Sequence, residues 1–339
     1  SWDGPPSTLL VREIKGHTAQ VTGVAFSNDN RFVATSSEDG TVRITFLSTI
    51  SDPTPRYFRL GIERDHVTAL AFNDNTKRLV CATNKSRPLL FAYFESNRRI
   101  FCCPHPLIAV NSCLCQCGML QWMVVATCAC GSPETGIRFM NPKGECLATL
   151  DTNQITNYTM VASPDNRFVA VGAGMPEVKV LEVSRNKAGE FSHVARAMTL
   201  SGGHGKAVHG VAFNHTSTRV ATASIDGSWA FWDTTVRFNL DEDPRQLERH
   251  ASKDSLNSRY SACALGGKGG NVLALSSGRH MFFHVAGDGT GKQIESVGAA
   301  HGSSGVAILS MEASKDGKLL ATTAEGDARA RLWSFPHSA

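Results

Sequence analysis

No stretch of this 339-residue chain approaches the roughly 18 uninterrupted apolar residues that a membrane-crossing helix requires. Runs of like charge are equally scarce: charged residues make up 19%, the net charge is +4, and there is neither an acidic nor a basic tail. A domain that binds nucleic acid mainly through phosphates carries a stronger basic excess. The first residue is serine and no signal-peptide pattern follows, so the sequence reads as a fragment with something missing before Ser1. No segment carries a convincing helical period. With 42% apolar residues, the chain does have ample material for a large core.

Self-similarity is its strongest positive feature. GHTAQVTGVAFSNDNRFVATSSEDGTVRITF (16–46) aligns with GHGKAVHGVAFNHTSTRVATASIDGSWAFWD (203–233). His17 precedes Asp39 by 22 residues, and His204 precedes Asp226 by the same 22. Six residues after Asp226 comes Trp232. A third copy ends the chain, with His301, Asp327 and Trp333 in the same order. Weaker copies start near Asp65, Asn157 and Tyr260, and the cysteine-rich stretch after Ile108 supplies one more. Seven units of about 48 residues follow, each reading as short strands separated by turn residues such as NDN, SPDN and KDGK.

The His–Asp–Trp spacing resembles that of WD40-repeat β-propellers. The resemblance implies an all-β, seven-bladed ring in which His17, His204 and His301 meet Asp39, Asp226 and Asp327 in a tight turn. Ser37, Ser224 and the tryptophans Trp232 and Trp333 are expected to complete buried hydrogen-bonded networks. A buried carboxylate is tolerable only when fully paired, so these residues read as architecture and not as catalysts. Thr45 and Leu181 stand where a tryptophan is expected, so those units lack part of the network.

The last unit stops after RLWSF, and TLLVREIK at the start has no unit of its own. Pairing residues 9–14 beside 329–335 would close the ring and remove an exposed edge. The chain thus reads as a single domain, 1–339, with a closing strand at about 8–15. Blades are expected at about 16–60, 61–104, 105–152, 153–203, 204–250, 251–300 and 301–336.

Nine of the ten cysteines lie between Cys81 and Cys146. In SCLCQCG, Cys113, Cys115 and Cys117 alternate along a strand, and Cys128 and Cys130 alternate on the next. Zinc sites place C-x₂₋₄-C pairs on turns, often with histidine. The C-x-C spacing on strands instead suits small apolar residues packed between blades, and so many thiols in a large domain favour a reducing compartment. No metal and no cofactor is expected.

GDGTGK (287–292) lacks the full phosphate-loop pattern and falls between two strands, as a hairpin turn would. Among the expected inner strands only Glu312 offers a carboxylate, and a lone carboxylate supports neither a metal nor an acid–base pair. An enzyme is therefore not expected.

Residues 147–247 are more individual. LATLDTNQITN, ASPDNRFVA, PEVKVLEV, GEFSHVARAMTLSGGHGKAVHGVAF, DGSWAFWDT and DEDPRQL occur in one order. This succession resembles the transducin beta-like WD-repeat proteins. That resemblance implies a non-enzymatic docking scaffold on the cytosolic face of the endoplasmic reticulum, anchored by an N-terminal segment not present here. Its implied partner is a stress-sensing kinase of that membrane, with a link to translation control, and the domain is expected to be a monomer without membrane contact of its own. Propeller geometry puts candidate partner contacts at Gln20, Glu38, Tyr158, His209 and Ile225. The alternative is an RNA- or ribosome-associated module. It would use a rim of arginines interleaved with aromatics in PRYFRLGIER and YFESNRRIF: Arg56, Arg59, Arg64, Arg98 and Arg99.

Overall fold

Strand and turn chemistry repeat together along the chain. In three hairpins a serine donates to an aspartate two residues on: Ser27 to Asp29 (2.7 Å), Ser163 to Asp165 (2.5 Å) and Ser314 to Asp316 (2.6 Å). The same hydroxyl accepts from the amide that opens the next strand, Phe32, Phe168 or Leu319. Asn214 takes this role in a fourth hairpin, accepting from the Thr218 and Arg219 amides. Each turn is closed by a residue in the left-handed region: Asn30 (φ 54°), Asn166 (61°), Ser217 (60°) and Gly317 (69°). Side chains that satisfy their own turn backbone fix the hairpin locally, before any tertiary contact forms.

The structure, a computed structural model, describes residues 9–61, 66–72, 78–83, 89–94, 97–102, 113–120, 123–130, 135–140, 146–235, 244–252, 259–302 and 307–336. Within them the strands form seven four-stranded antiparallel sheets. Six are sequential meanders, with innermost strands Val21–Phe26, Val67–Phe72, Cys113–Leu120, Asn157–Ala162, Val208–Phe213 and Tyr260–Gly266. The seventh combines Ile308–Ala313, Leu319–Ala324 and Ala330–Ser334 with the N-terminal strand Leu10–Ile14, which pairs from Leu10↔Trp333 to Ile14↔Ala330. Each innermost strand lies against that of the next sheet, and Ile308–Ala313 lies against Val21–Phe26. This all-β arrangement is a β-propeller.

Hydrophobic cores sit between sheets. Phe168, Val180 and Leu200 meet Val211, Phe213 and Trp232 across one interface. On the opposite face of the same sheet Trp229 and Phe231 pack with Tyr260, Leu265 and Leu273. Second strands such as FVATSS, FVAVGA and VLALSS are buried at every residue, because each is covered on both faces. The seam between last and first sheets is sewn by Val21 N to Asp327 O (2.9 Å), Gly326 N to Gln20 Oε1 (2.7 Å) and Lys315 N to Asn30 Oδ1 (2.9 Å).

In the cysteine-rich hairpin, the backbone register sets Cys113 opposite Cys130 and Cys115 opposite Cys128. The expected packing of these thiols between sheets lies outside the described side chains.

Candidate functional site

Three histidines sit at matching positions, and each is consumed by an internal chain of hydrogen bonds. His17 Nδ1 lies 3.1 Å from Asp39 Oδ2 and its Nε2 2.9 Å from Thr35 Oγ1. His301 Nδ1 lies 2.8 Å from Asp327 Oδ2, with Nε2 2.9 Å from Thr322 Oγ1. In the middle unit His204 Nε2 contacts Thr222 Oγ1 (2.7 Å), while Nδ1 contacts Ser228 Oγ (2.7 Å) and not the aspartate. Trp232 Nε1 donates to Thr222 Oγ1 (2.9 Å), and Trp333 Nε1 to Thr322 Oγ1 (2.8 Å).

The relay hydroxyl therefore differs from the expected one. Ser37 and Ser224 accept from the Asp39 and Asp226 amides and donate to carbonyls before the innermost strand. Thr35 and Thr222, one pleat earlier, face the histidine, because a period of two keeps them on the side of Ser37 and Ser224 but deeper in the sheet. The recurring T-x-S-x-D of ATSSED and ATASID was the signal available in the sequence.

Burial pushes all three imidazoles down, His204 to about 4. Burial alone would raise Asp39, but hydrogen bonds from Thr41, the Thr18 amide and His17 outweigh it and hold the carboxyl at about 2. Neutral imidazole beside ionised carboxylate leaves no unspent acid or base in these units.

The candidate partner residues share a structural device. Six innermost strands carry an irregularity at the same place, where pairing skips Thr22, Thr68, Tyr158, His209, Ser261 and Leu309. Bulges of this kind re-aim a side chain out of the ladder. Tyr158 and His209 stack with ring centroids 4.2 Å apart. Tyr158 and Leu309 are 38% and 42% exposed, and Ile155, just before its strand, is 67% exposed. Gln20 is spent on the seam through Gly326, Glu38 accepts at its carbonyl from His66, and Ile225 is half-buried. Of the five sequence candidates only Tyr158 and His209 come together.

At the expected anion rim, Arg56 and Arg59 are exposed on or beside the outer strand Tyr57–Gly61. Arg64 lies outside the described residues, and Arg98 and Arg99 are placed by backbone only, in the outer strand Asn97–Cys102 of the adjacent sheet. The aromatics are less available: Phe46 and Phe58 pack on each other at 5.2 Å, and the Arg43 guanidinium covers one face of Tyr57 at 3.8 Å.

The GDGTGK turn is occupied from within. The buried Glu248 carboxylate, on the neighbouring sheet, accepts from the Gly287 amide (2.9 Å) and the Gly289 amide. A carboxylate already fills the position a phosphate would need, which sequence pattern alone did not reveal. Glu312 is likewise engaged, accepting from the Phe26 amide (3.2 Å) of the first sheet. Among the described residues no three His, Cys, Asp or Glu side chains are grouped to hold a metal. Cys81 and Cys263 are buried thiols and Cys146 is exposed.

Comparison with known proteins agrees with this geometry. Residues 9–45, 196–233 and 291–334 match the family described as WD domain, G-beta repeat. These segments contain the closing strand Leu10–Ile14 and all three His–Asp pairs, whereas the more divergent units between them lie largely outside the match. Human transducin beta-like protein 2 is 30% identical over 335 residues, covering 96% of this chain and 71% of that protein. The mouse protein of the same name is also 30% identical and is covered over 72% of its length. With its propeller sheets, matched repeats and this extent of identity, the chain belongs to the transducin beta-like protein 2 family of WD40-repeat proteins.

Proposed function

We propose that the chain is a single seven-bladed propeller acting as a non-enzymatic docking platform for protein partners. The ring reading draws on the run of innermost strands, each against the next and the last against the first. The observation that carries the docking reading is the common register of bulges, which turns Tyr158, His209 and Leu309 out of their ladders around one channel mouth. Exposed Tyr158 stacked on His209, with Leu309 exposed at the matching position of another innermost strand, offers the aromatic and apolar surface that a protein interface core uses. The His–Asp units, by contrast, are spent on folding.

The resemblance to transducin beta-like proteins suggests a segment of a stress-sensing kinase at the endoplasmic reticulum membrane as the partner. The alternative of an RNA- or ribosome-associated module draws on Arg56 and Arg59, but the aromatics beside them are already in use. The test is capture of partners from cells by wild-type protein, Tyr158→Ala and Leu309→Glu. Both variants should melt with the wild type yet lose partner recovery. Unchanged recovery at equal stability would remove the channel mouth as the docking surface.

A further inference from the structure

Three sheets share a node where the third strand passes beside the residue preceding the histidine, and comparing them isolates an imbalance. In the fifth sheet Ala230 pairs with Arg249, whose Nε donates to Gly203 O at 2.8 Å. In the seventh, Arg331 pairs with Glu13, which accepts from its Nε (3.1 Å) and Nη2 (2.8 Å), while Nη1 donates to Ala300 O at 2.7 Å. In the first, Arg43 occupies the place of Arg331, but its cross-strand neighbour is Arg59.

Arg43 is 8% exposed, close to the 6% of Arg331. Its guanidinium is wedged between the Tyr57 ring and Gly16, where an added Cβ would fall 1.4 Å from Nη1. Yet Arg43 Nε is buried without a hydrogen-bond partner, and the residue set opposite it across the strands is a second arginine. Like charges directly opposite destabilise a sheet, and an unpaired buried donor costs more still. Arg331 shows what this fold supplies at such a node: one carboxylate held by two nitrogens.

We infer that Arg43 and Arg59 form a binding site for a carboxylate, taking an aspartate or glutamate side chain from an acidic peptide segment of a partner. The site deepens the docking reading and rests on it. Arg43 is the fixed, stacked fork, and exposed Arg59 closes over the second oxygen; the planar fork matches a carboxylate in a way a lysine would not. Its position on the outer hairpin of the first sheet separates it from the channel mouth.

The test is fluorescence anisotropy with a labelled oligoglutamate peptide, alongside oligouridylate RNA of equal charge. Wild-type protein should bind the peptide, and Arg43→Gln and Arg59→Gln should each weaken it about tenfold or more. Arg59→Glu rebuilds the Arg331–Glu13 arrangement internally, so it should abolish peptide binding while raising the melting temperature. That variant keeps the test informative even if Arg43→Gln fails to fold. Absence of peptide binding by wild type, or wild-type binding by Arg59→Glu, would overturn the inference. Equal binding of RNA with the same losses would also overturn it, assigning the site to nucleic acid. Should the peptide fail while recovery dependent on Tyr158 persists, this site falls and the docking reading stands.

Discussion

Ser228 stands between His204 and Asp226: its Oγ lies 2.7 Å from His204 Nδ1 and donates to Asp226 Oδ1. Donor counting then fixes the whole chain. The one Ser228 proton goes to Asp226, so Ser228 accepts from His204 Nδ1; Nε2 of the neutral imidazole then accepts from Thr222, whose oxygen accepts from Trp232 Nε1. Every member is satisfied with a neutral histidine and an ionised aspartate.

Ser228→Ala should therefore cost about 1–3 kcal/mol, because it strands a buried imidazole nitrogen. Asp226→Ala should cost a similar amount, since the Gly205 and Ser228 amides lose their acceptor as well. Urea unfolding measures both. Partner recovery should fall only with the folded fraction. Loss of one partner at wild-type stability would make Asp226 part of a binding surface.

Stability should depend on pH in a defined window. Burial holds His204 at about 4, with Asp226 opposing and Arg249 assisting, whereas the unfolded residue titrates near 6.5. The unfolded chain thus takes up the proton first. Stability is complete above about pH 6.5 and is lost toward pH 4, by about 3 kcal/mol for this residue. His17 and His301 move in the same direction. Asp39, held at about 2 against an ordinary 3.8, contributes stability above pH 3.8 that is lost only below it. A urea midpoint that stays level from pH 6.5 to 4 would contradict this assignment.

The repeat was legible because aspartate and tryptophan recur six residues apart, at 226/232 and 327/333, with a histidine ahead of each, although the His–Asp separation runs from 22 residues at His17–Asp39 to 26 at His301–Asp327. Register inside the hairpin was not legible. Ser37, expected in the relay, caps the Asp39 amide, and Thr35 one pleat away meets His17; residues two apart on a strand share a face, so spacing does not separate them. Tyr158 and His209 could be placed by their position at strand starts, but the bulges that re-aim them depend on backbone pairing. Long-range partners left no local mark. Nothing near Gly287 announces Glu248, nearly forty residues earlier, and nothing near Arg43 shows that its neighbour is a second arginine.

Glu248→Ala should loosen the GDGTGK turn without changing the sheet that carries it. The Gly287 and Gly289 amides would lose their acceptor, so their hydrogen exchange should accelerate, with a stability loss of about 1–3 kcal/mol. Unchanged protection at both amides would show that the carboxylate is dispensable.

Thiol reactivity should split by burial. Cys146 is exposed and should react with an aromatic disulfide reagent in the folded protein. Cys263 is buried and its thiol is pushed up by desolvation, so it should react only on unfolding, as should buried Cys81. Unfolded protein kept reduced should titrate all ten cysteines, and elemental analysis should find no stoichiometric zinc. Zinc near one equivalent would assign the cysteine-rich hairpin to a metal.

The N-terminal strand is held to the last sheet by more than its ladder. Glu13 takes both Nε and Nη2 of Arg331, which is 6% exposed, and also meets Arg329 at 3.2 Å. Removing the carboxylate leaves Arg331 with Ala300 O and a more distant Asp327 at 3.6 Å. Glu13→Ala should cost about 1–3 kcal/mol, because Glu13 is partly exposed and breaking the pair leaves a buried cation only partly compensated. Replacing both partners, Glu13→Leu with Arg331→Leu, should recover part of that loss, since the desolvation of the cation disappears with it. Deleting Ser1–Lys15 goes further: it strips the Leu10–Ile14 ladder and uncovers the edge of Ala330–Ser334, so the protein should aggregate or unfold. A deletion variant that melts with the full chain would show that the ring does not need its N-terminal strand.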